Sequence, residues 1–185
     1  MVAVYVLLAV VVALGLWFIG AYNGLVRLRQ EVKNAWSQID VQLKRRHDLI
    51  PNLVEAVKGY MAHEKETLES VIKARSQAIN ADSFKDKAQA ENFLTQALRS
   101  LFAVSERYPD IKANQNVMSL QEELTSTENR ISFARQFYND QTMRLNTAIE
   151  TVPTNIVAGM TGFKKEDFFE IEDPGHREVP QVKLT

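Results

Sequence analysis

The histidines are the side chains best suited to bind a metal, and none of them stands at a metal-binding spacing. The chain contains His47, His63 and His176. His63 opens the sequence HEKET, which lacks the second histidine that a helical zinc site needs four residues on. Positions three residues before the first two histidines hold Lys44 and Tyr60, so the Glu-x-x-His pair of di-iron bundles is missing too. We therefore expect no metal and no cofactor.

Acidic and nucleophilic residues give no catalytic pattern either. Acidic residues recur along the helical segments, at Asp40, Asp48, Glu55, Glu64 and Glu66. Solvation and pairing with a basic residue one turn away explain such charges on the wet face of a helix. The chain has no G-x-S-x-G sequence, no glycine-rich phosphate loop and no cysteine. We predict no catalytic residue and no enzyme, and the net charge of -1 without a basic stripe disfavours nucleic acid as a partner.

The N-terminal segment is apolar and carries no charge. Residues 2–21 read VAVYVLLAVVVALGLWFIGA, and at about 1.5 Å per residue such a helix spans a hydrocarbon core about 30 Å thick. Tyr5 lies near one end and Trp17, Phe18 and Tyr22 near the other, as aromatic residues do at the headgroup layer. A cleaved signal peptide is disfavoured because no basic leader and no clear small-x-small site is present. The segment is predicted to cross the membrane once.

Basic residues flank this segment only on its C-terminal side, at Arg27, Arg29 and Lys33. Lysine and arginine accumulate on the cytoplasmic side of membrane segments. We therefore expect the N-terminus outside, the remaining chain in the cytoplasm, and the lipid bilayer as a partner.

Four further stretches show the three-or-four-residue apolar spacing of amphipathic helices. The first continues from the membrane, and a chain reversal is predicted over Asp48–Pro51 because proline starts a helix more readily than it continues one. A single helix kinked at Pro51 is the alternative. The second helix is predicted from Pro51 to near Asn80, and Gly59 within it suggests a close helix approach, since glycine there costs about 1 kcal/mol relative to alanine.

The third helix is predicted to begin at residues 83–86, where Ser-Phe-Lys-Asp has the spacing of a capping box. Pro109 predicts the next turn. The fourth helix has the longest periodic run, from Val117 to Val152, which is a coiled-coil heptad seam. Pro153 ends it, and the glycine, proline and charge that follow predict irregular chain.

Four amphipathic helices with short connections most simply form an antiparallel up-and-down bundle. The sequence thus predicts an all-α protein with a transmembrane helix over residues 1–21, a four-helix bundle over 22–152 and an irregular C-terminal tail over 153–185.

Several residues have both a structural and a functional interpretation. Lys44, Arg45 and Arg46 stand at the predicted end of the first helix, where cations complement the helix dipole by about 0.3–1 kcal/mol each; a partner-binding patch is the less favoured alternative. Trp36 and Tyr138 lie on apolar stripes, so core packing is expected first and an interface anchor second.

The tail is too apolar to be wholly solvated. Its apolar residues and the lysines between them are Ile156, Val157, Met160, Phe163, Lys164, Lys165, Phe168 and Phe169. We expect its own bundle, a neighbouring subunit or the headgroup layer to cover it, and up-and-down topology predicts that the fourth helix ends on the membrane-proximal side.

Three stretches together carry a family resemblance: YNGLVRLRQEVKNAWSQIDVQLKRRHDLIPNLVEAVKGYMAHE, RQFYND and VPTNIVAGMTGF. From Tyr22 to about Glu170 the chain resembles the LemA family. The resemblance implies a bacterial inner-membrane protein with one N-terminal anchor and a bromodomain-like four-helix bundle. The family's biochemical function is poorly defined, and the association of distant relatives with magnetosome membranes hints at membrane organisation.

Two functions follow from these features. The favoured one is a non-catalytic membrane-anchored scaffold that forms a homo-oligomer or contacts another membrane protein through its helices. The alternative is an adaptor or regulator of a membrane-bound enzyme such as a protease or kinase. An unrecognised hydrolase is the least favoured hypothesis.

Overall fold

All regular structure in the described part of the chain is α-helical, as predicted. The computed structural model describes residues 1–169. Its helices are α1 (Val2–Lys58), α2 (Lys65–Ile79), α3 (Phe84–Ser105), α4 (Pro109–Ala113), α5 (Gln115–Glu150) and α6 (Thr154–Thr161). The end of the predicted tail, residues 170–185 with His176, lies outside the described residues.

The chain divides into two compact units. Unit 1 combines residues 1–42 with residues 130–168. Unit 2 is built from residues 43–129 and includes Phe169. Each unit has its own buried side chains.

In unit 1 the start of α1 differs sharply from the rest of the helix. No side chain of residues 2–17 is buried, although nearly all are apolar. Among the described helices α1 is the one long and apolar enough to cross a membrane. From Leu25 onward the helix buries one stripe against α5. The stripe comprises Leu25, Val32, Ala35 and Ile39 from α1 and Ile131, Tyr138 and Leu145 from α5.

The predicted reversal over Asp48–Pro51 is wrong, because α1 continues through Pro51 to Lys58. A proline inside a helix has no N–H to donate to the carbonyl four residues earlier. That carbonyl belongs to His47, and the guanidinium of Arg75 donates to it from Nε at 2.7 Å. The side chain from α2 thus replaces the missing backbone hydrogen bond, and the alternative of one continuous helix is correct.

The core of unit 2 is formed by the end of α1 with α2, α3 and the beginning of α5. Its fully buried members include Ile50, Leu53, Val71, Leu94 and Leu101. Helix α1 ends immediately before Gly59, which lies in the turn leading to α2. A β-carbon at Gly59 would meet no atom within 4 Å. The predicted close helix approach at this glycine is therefore wrong.

The start of α3 is capped as predicted. Asp86 donates its backbone N–H to the Ser83 hydroxyl at 3.0 Å, and that hydroxyl donates to the Asp86 carboxylate at 2.5 Å. After α3 the chain turns, and Pro109 occupies the first turn of the short helix α4. Proline is tolerated there because the N–H groups of the first turn have no hydrogen-bond partner within the helix.

The prediction of irregular chain after Pro153 is wrong for Thr154–Thr161, which form α6. Gly162 ends this helix in the left-handed conformation with φ of 74°. The N–H of Phe163 then donates to the carbonyl of Ala158 at 3.0 Å, as in a Schellman motif. The glycine that suggested irregular chain is in fact the stop signal of one more helix.

Candidate functional site

A wholly buried arginine lies at the centre of unit 2. Arg46 on α1 has no exposed side-chain surface. Its guanidinium donates to the carboxylates of Glu91 on α3 and Glu128 on α5, and to Thr95 Oγ1 at 2.9 Å. Thr95 also donates to Glu128 at 3.1 Å. Three helices therefore contribute to one charged cluster.

His47 joins this cluster through Glu91, whose carboxylate is wholly buried. The imidazole Nε2 lies 2.9 Å from Glu91 Oε1. Burial alone would raise the pKa of Glu91, but the hydrogen bond with His47 and the charge of Arg46 together lower it below its ordinary value. Glu91 is therefore a carboxylate held in its charged form.

The predicted helix-dipole role of the basic triplet is wrong, because α1 does not end there but runs on to Lys58. Arg46 is buried in the cluster. Arg45 makes a half-exposed ion pair with Glu123, at 2.6 Å, and Lys44 is exposed. The three neighbouring cations thus have three different environments.

Sequence reasoning missed this cluster, although a signal exists. Arg46 falls on the buried stripe of α1 between Leu43 and Ile50, and Glu91 falls on that of α3 between Ala88 and Leu94. A cation and a carboxylate at core positions of two helices must pair if both are buried, because an unpaired buried charge is very costly.

The charged groups of the cluster bind to one another. Both carboxylates that face Arg46 already accept hydrogen bonds from the protein. No group of three or more histidine and acidic side chains within residues 1–169 has the arrangement of a metal site. The cluster joins one face each of α1, α3 and α5.

The second feature is a small apolar cluster in unit 1 that joins the apolar end of α1 to the C-terminal chain. Leu25, Val157 and Ala158 are buried together. Partly buried residues around them come from three segments: Phe18 and Ala21 of α1, Ala148 and Ile149 of α5, and Phe163 after α6. The end of α5 and the helix α6 are thus packed at the end of the predicted membrane segment.

Beyond α6 the chain turns back along α5. Phe163 lies edge-on to Tyr22, with ring centroids 6.1 Å apart, and the Arg29 guanidinium stands 4.9 Å above its ring. Asn146 and Glu166 then exchange two hydrogen bonds, of 2.9 and 3.0 Å. This return segment is held by polar as well as aromatic contacts.

The predicted interface residues are divided between the interior and the surface. Val157 and Phe169 are buried, and Phe163 is half-buried. Ile156, Met160 and Phe168 are exposed. Trp36 is half-buried, edge-on to Tyr138 with a centroid distance of 5.6 Å. Of the membrane-flanking bases, Arg29 lies over Phe163, whereas Arg27 and Lys33 are exposed.

A surface groove in unit 1, not predicted from sequence, lies between α1 and α5. It has a volume of about 630 Å³ and is lined by Val41 of α1 and by Arg130, Phe133 and Phe137 of α5, among others. Phe133 is 72% exposed, which is a high exposure for so large an apolar side chain.

Comparison with known proteins gives the family. The LemA family profile matches residues 35–184. The chain belongs to the LemA family. The Protein LemA of Metamycoplasma hominis is 32% identical over 146 residues, which cover 76% of this chain and 65% of that protein. This LemA-family chain thus spans slightly less than two thirds of that relative.

Two magnetosome proteins are also similar to this LemA-family chain. The Magnetosome protein MamQ of Magnetospirillum gryphiswaldense is 24% identical over 189 residues, covering 87% of this chain and 70% of that protein. The Magnetosome protein MamQ 2 of Paramagnetospirillum magneticum is 25% identical over 189 residues, covering 88% and 70%. The resemblance identified from the sequence is confirmed.

Proposed function

We propose that this chain is a non-catalytic, single-pass protein of the bacterial inner membrane, with its N-terminus outside, and that its helical part serves as a self-assembling scaffold in the cytoplasm. The observation that carries the proposal is the composition of α1. Its residues 2–17 expose apolar side chains that no part of the described chain covers, and the same helix then continues into the buried stripe that begins at Leu25.

Exposed apolar surface on this scale is unfavourable in water, at about 25 cal/mol per Å². Lipid removes that cost, and a helix satisfies its own backbone hydrogen bonds in lipid. The basic residues Arg27, Arg29 and Lys33 at the inner end favour the cytoplasm for the remaining chain.

An antiparallel up-and-down four-helix bundle is the arrangement that we propose for the cytoplasmic part. In unit 1, Leu25 clusters with Ala148, whereas Trp36 further along α1 contacts the earlier Tyr138 of α5. In unit 2, α2 and α3 make extensive contacts with each other. These contacts support alternating helix directions.

Self-assembly is proposed through the groove of unit 1 and the exposed Phe133. A second copy is the occupant favoured here, because anchoring in one membrane aligns the copies and raises their local concentration. A two-fold interface requires the same patch on both copies, and an aromatic side chain beside a shallow apolar groove suits that geometry.

The particle mass of the full-length protein in mild detergent tests this proposal. We expect an oligomer for the parent, smaller particles for Phe133→Ser, and no change for Met143→Ser, which alters another exposed apolar residue of α5 outside the groove. A parent that is monomeric at all concentrations contradicts self-assembly. A monomer that copurifies at fixed stoichiometry with a membrane-bound enzyme would instead favour the adaptor function.

The anchor has a separate test. Val11→Arg places a charge near the centre of the apolar segment, which costs about 2.5–3.5 kcal/mol on insertion scales. Carbonate should then extract the variant from membranes but leave the parent behind. Protease added to intact spheroplasts should leave the helical part uncut, and ready digestion would reverse the proposed orientation.

A further inference from the structure

The outer face of α6 is an apolar stripe that no described residue covers. Val152 lies in the turn before the helix, and Ile156 and Met160, which are spaced four residues apart, lie on one side of the helix. They are 73%, 57% and 73% exposed. The opposite face holds the buried Val157 and Ala158. This short helix is therefore apolar on both faces, and it carries no charge.

The position of α6 along α1 is fixed by its packing. Its inner face clusters with Phe18, Ala21 and Leu25. Phe18 and Ala21 are in the last turn of the apolar segment, where a membrane helix meets the headgroups. After α6, Phe163 already contacts Tyr22 and Arg29, which are further from the segment's centre, and the chain then returns along α5.

We propose that α6 is an interfacial helix, whose Val152, Ile156 and Met160 insert into the headgroup and acyl boundary of the cytoplasmic leaflet. This inference rests on the proposed membrane anchoring. The protein then contacts lipid twice, once through the apolar start of α1 and once through the C-terminal chain packed against its inner end.

Two observations favour lipid as the partner of this exposed apolar stripe. The inner face of α6 packs on Phe18 and Ala21, so the helix lies beside the inner end of the proposed membrane segment. Exposed basic side chains follow both elements along the chain: Lys164 comes after α6, and Arg27 comes after the apolar segment of α1. Such residues favour an anionic leaflet, as in helices that lie in the membrane interface.

Site-directed spin labelling of the full-length protein tests the inference. The chain contains no cysteine, so each introduced cysteine is labelled alone. Met160→Cys reports on the stripe and Leu8→Cys on the anchor. Met143→Cys is the matched control, because it replaces another exposed methionine, on α5. Each labelled variant is reconstituted into vesicles of phosphatidylcholine and phosphatidylglycerol, and collisions with oxygen, which concentrates in lipid, are compared with those of a water-soluble nickel chelate.

We expect the ratio of oxygen to nickel collisions to be several-fold higher at residues 8 and 160 than at residue 143. A lipid-like ratio at residue 8 with a water-like ratio at residue 160 overturns the interfacial helix and leaves the anchor intact. Protection of residue 160 from both reagents also overturns it, because protein then covers the stripe. A water-like ratio at residue 8 overturns the anchor and the inference with it.

Discussion

Replacing Arg46 by methionine should destabilise the protein far more than the same change at its neighbour Arg45. Methionine retains most of the volume but removes the charge that faces Glu91 and Glu128. Glu128 is 34% exposed and regains water, whereas Glu91 is 0% exposed and cannot. The cost is therefore that of one uncompensated buried carboxylate, about 3–5 kcal/mol.

Protonation of Glu91 would recover little of this lost free energy. Taking up a proton costs about 1.4 kcal/mol for each pH unit above the ordinary carboxyl pKa of about 4.5. The measurement is therefore made at about pH 8.5, well above that value.

Urea unfolding of the full-length protein in detergent, followed by far-ultraviolet circular dichroism, gives the free energies. Arg45→Met should cost less than about 1 kcal/mol, because its pair with Glu123 is half-exposed. Adding Glu91→Leu to Arg46→Met should restore most of the loss, since an apolar pair of similar volume often replaces a buried ion pair without cost. Equal costs for the two arginine variants, or no recovery in the double variant, would refute the reasoning.

Three further outcomes are expected. Burial alone would raise the pKa of Glu91, but its hydrogen bond and the neighbouring positive charge outweigh burial, so the pKa is lowered in the folded protein. The free energy of folding that this charged carboxylate contributes is complete above the ordinary pKa of 4.5. It is lost as the pH falls through the lower pKa of the folded protein. Acid titration should therefore show a shallower loss for Glu91→Gln than for the parent. Ser83→Ala should cost about 1 kcal/mol by removing the N-cap of α3, and thermal unfolding should show no comparable change for Ser100→Ala, which lies exposed within the same helix. Phe169→Ala should cost about 3–5 kcal/mol in urea unfolding because this residue is 1% exposed. Phe168→Ala should cost less than about 1 kcal/mol because this residue is 42% exposed. Similar losses for the two variants would contradict the placement of these two residues.

The features that could be predicted from sequence depend on neighbouring residues alone. An unbroken apolar run produces the first part of α1. The Ser83 cap needs only Asp86 three residues later, and the buried stripe of α5 needs only its own spacing. These signals are complete within one segment of chain.

Pro51 was misinterpreted because its compensation is distant in sequence. The proline predicts a helix end unless another group satisfies the carbonyl of His47, and that group is the side chain of Arg75. No residue close to Pro51 in the sequence indicates that Arg75 will make this hydrogen bond.

The buried cluster and α6 were missed for related reasons. The sequence predicts a helix end near Arg46 that the structure does not have, and the partner Glu91 lies on another helix. In α6, Gly162 ends the helix, but in the sequence a glycine is equally typical of irregular chain, because only the backbone conformation distinguishes the two roles.

The apolar cluster around Leu25 also determines the order in which the chain can complete its structure during synthesis. Leu25 leaves the ribosome well before Ala148 and Val157, which cluster with it. At roughly 5–20 residues per second, Leu25 waits on the order of 6–25 s for Ala148. The main segment of unit 2, residues 43–129, is continuous and is complete before Ala148 is made. We therefore expect the newly made protein to insert its anchor first, fold unit 2 next, and close unit 1 last, so a chain interrupted before α6 would leave Leu25 uncovered.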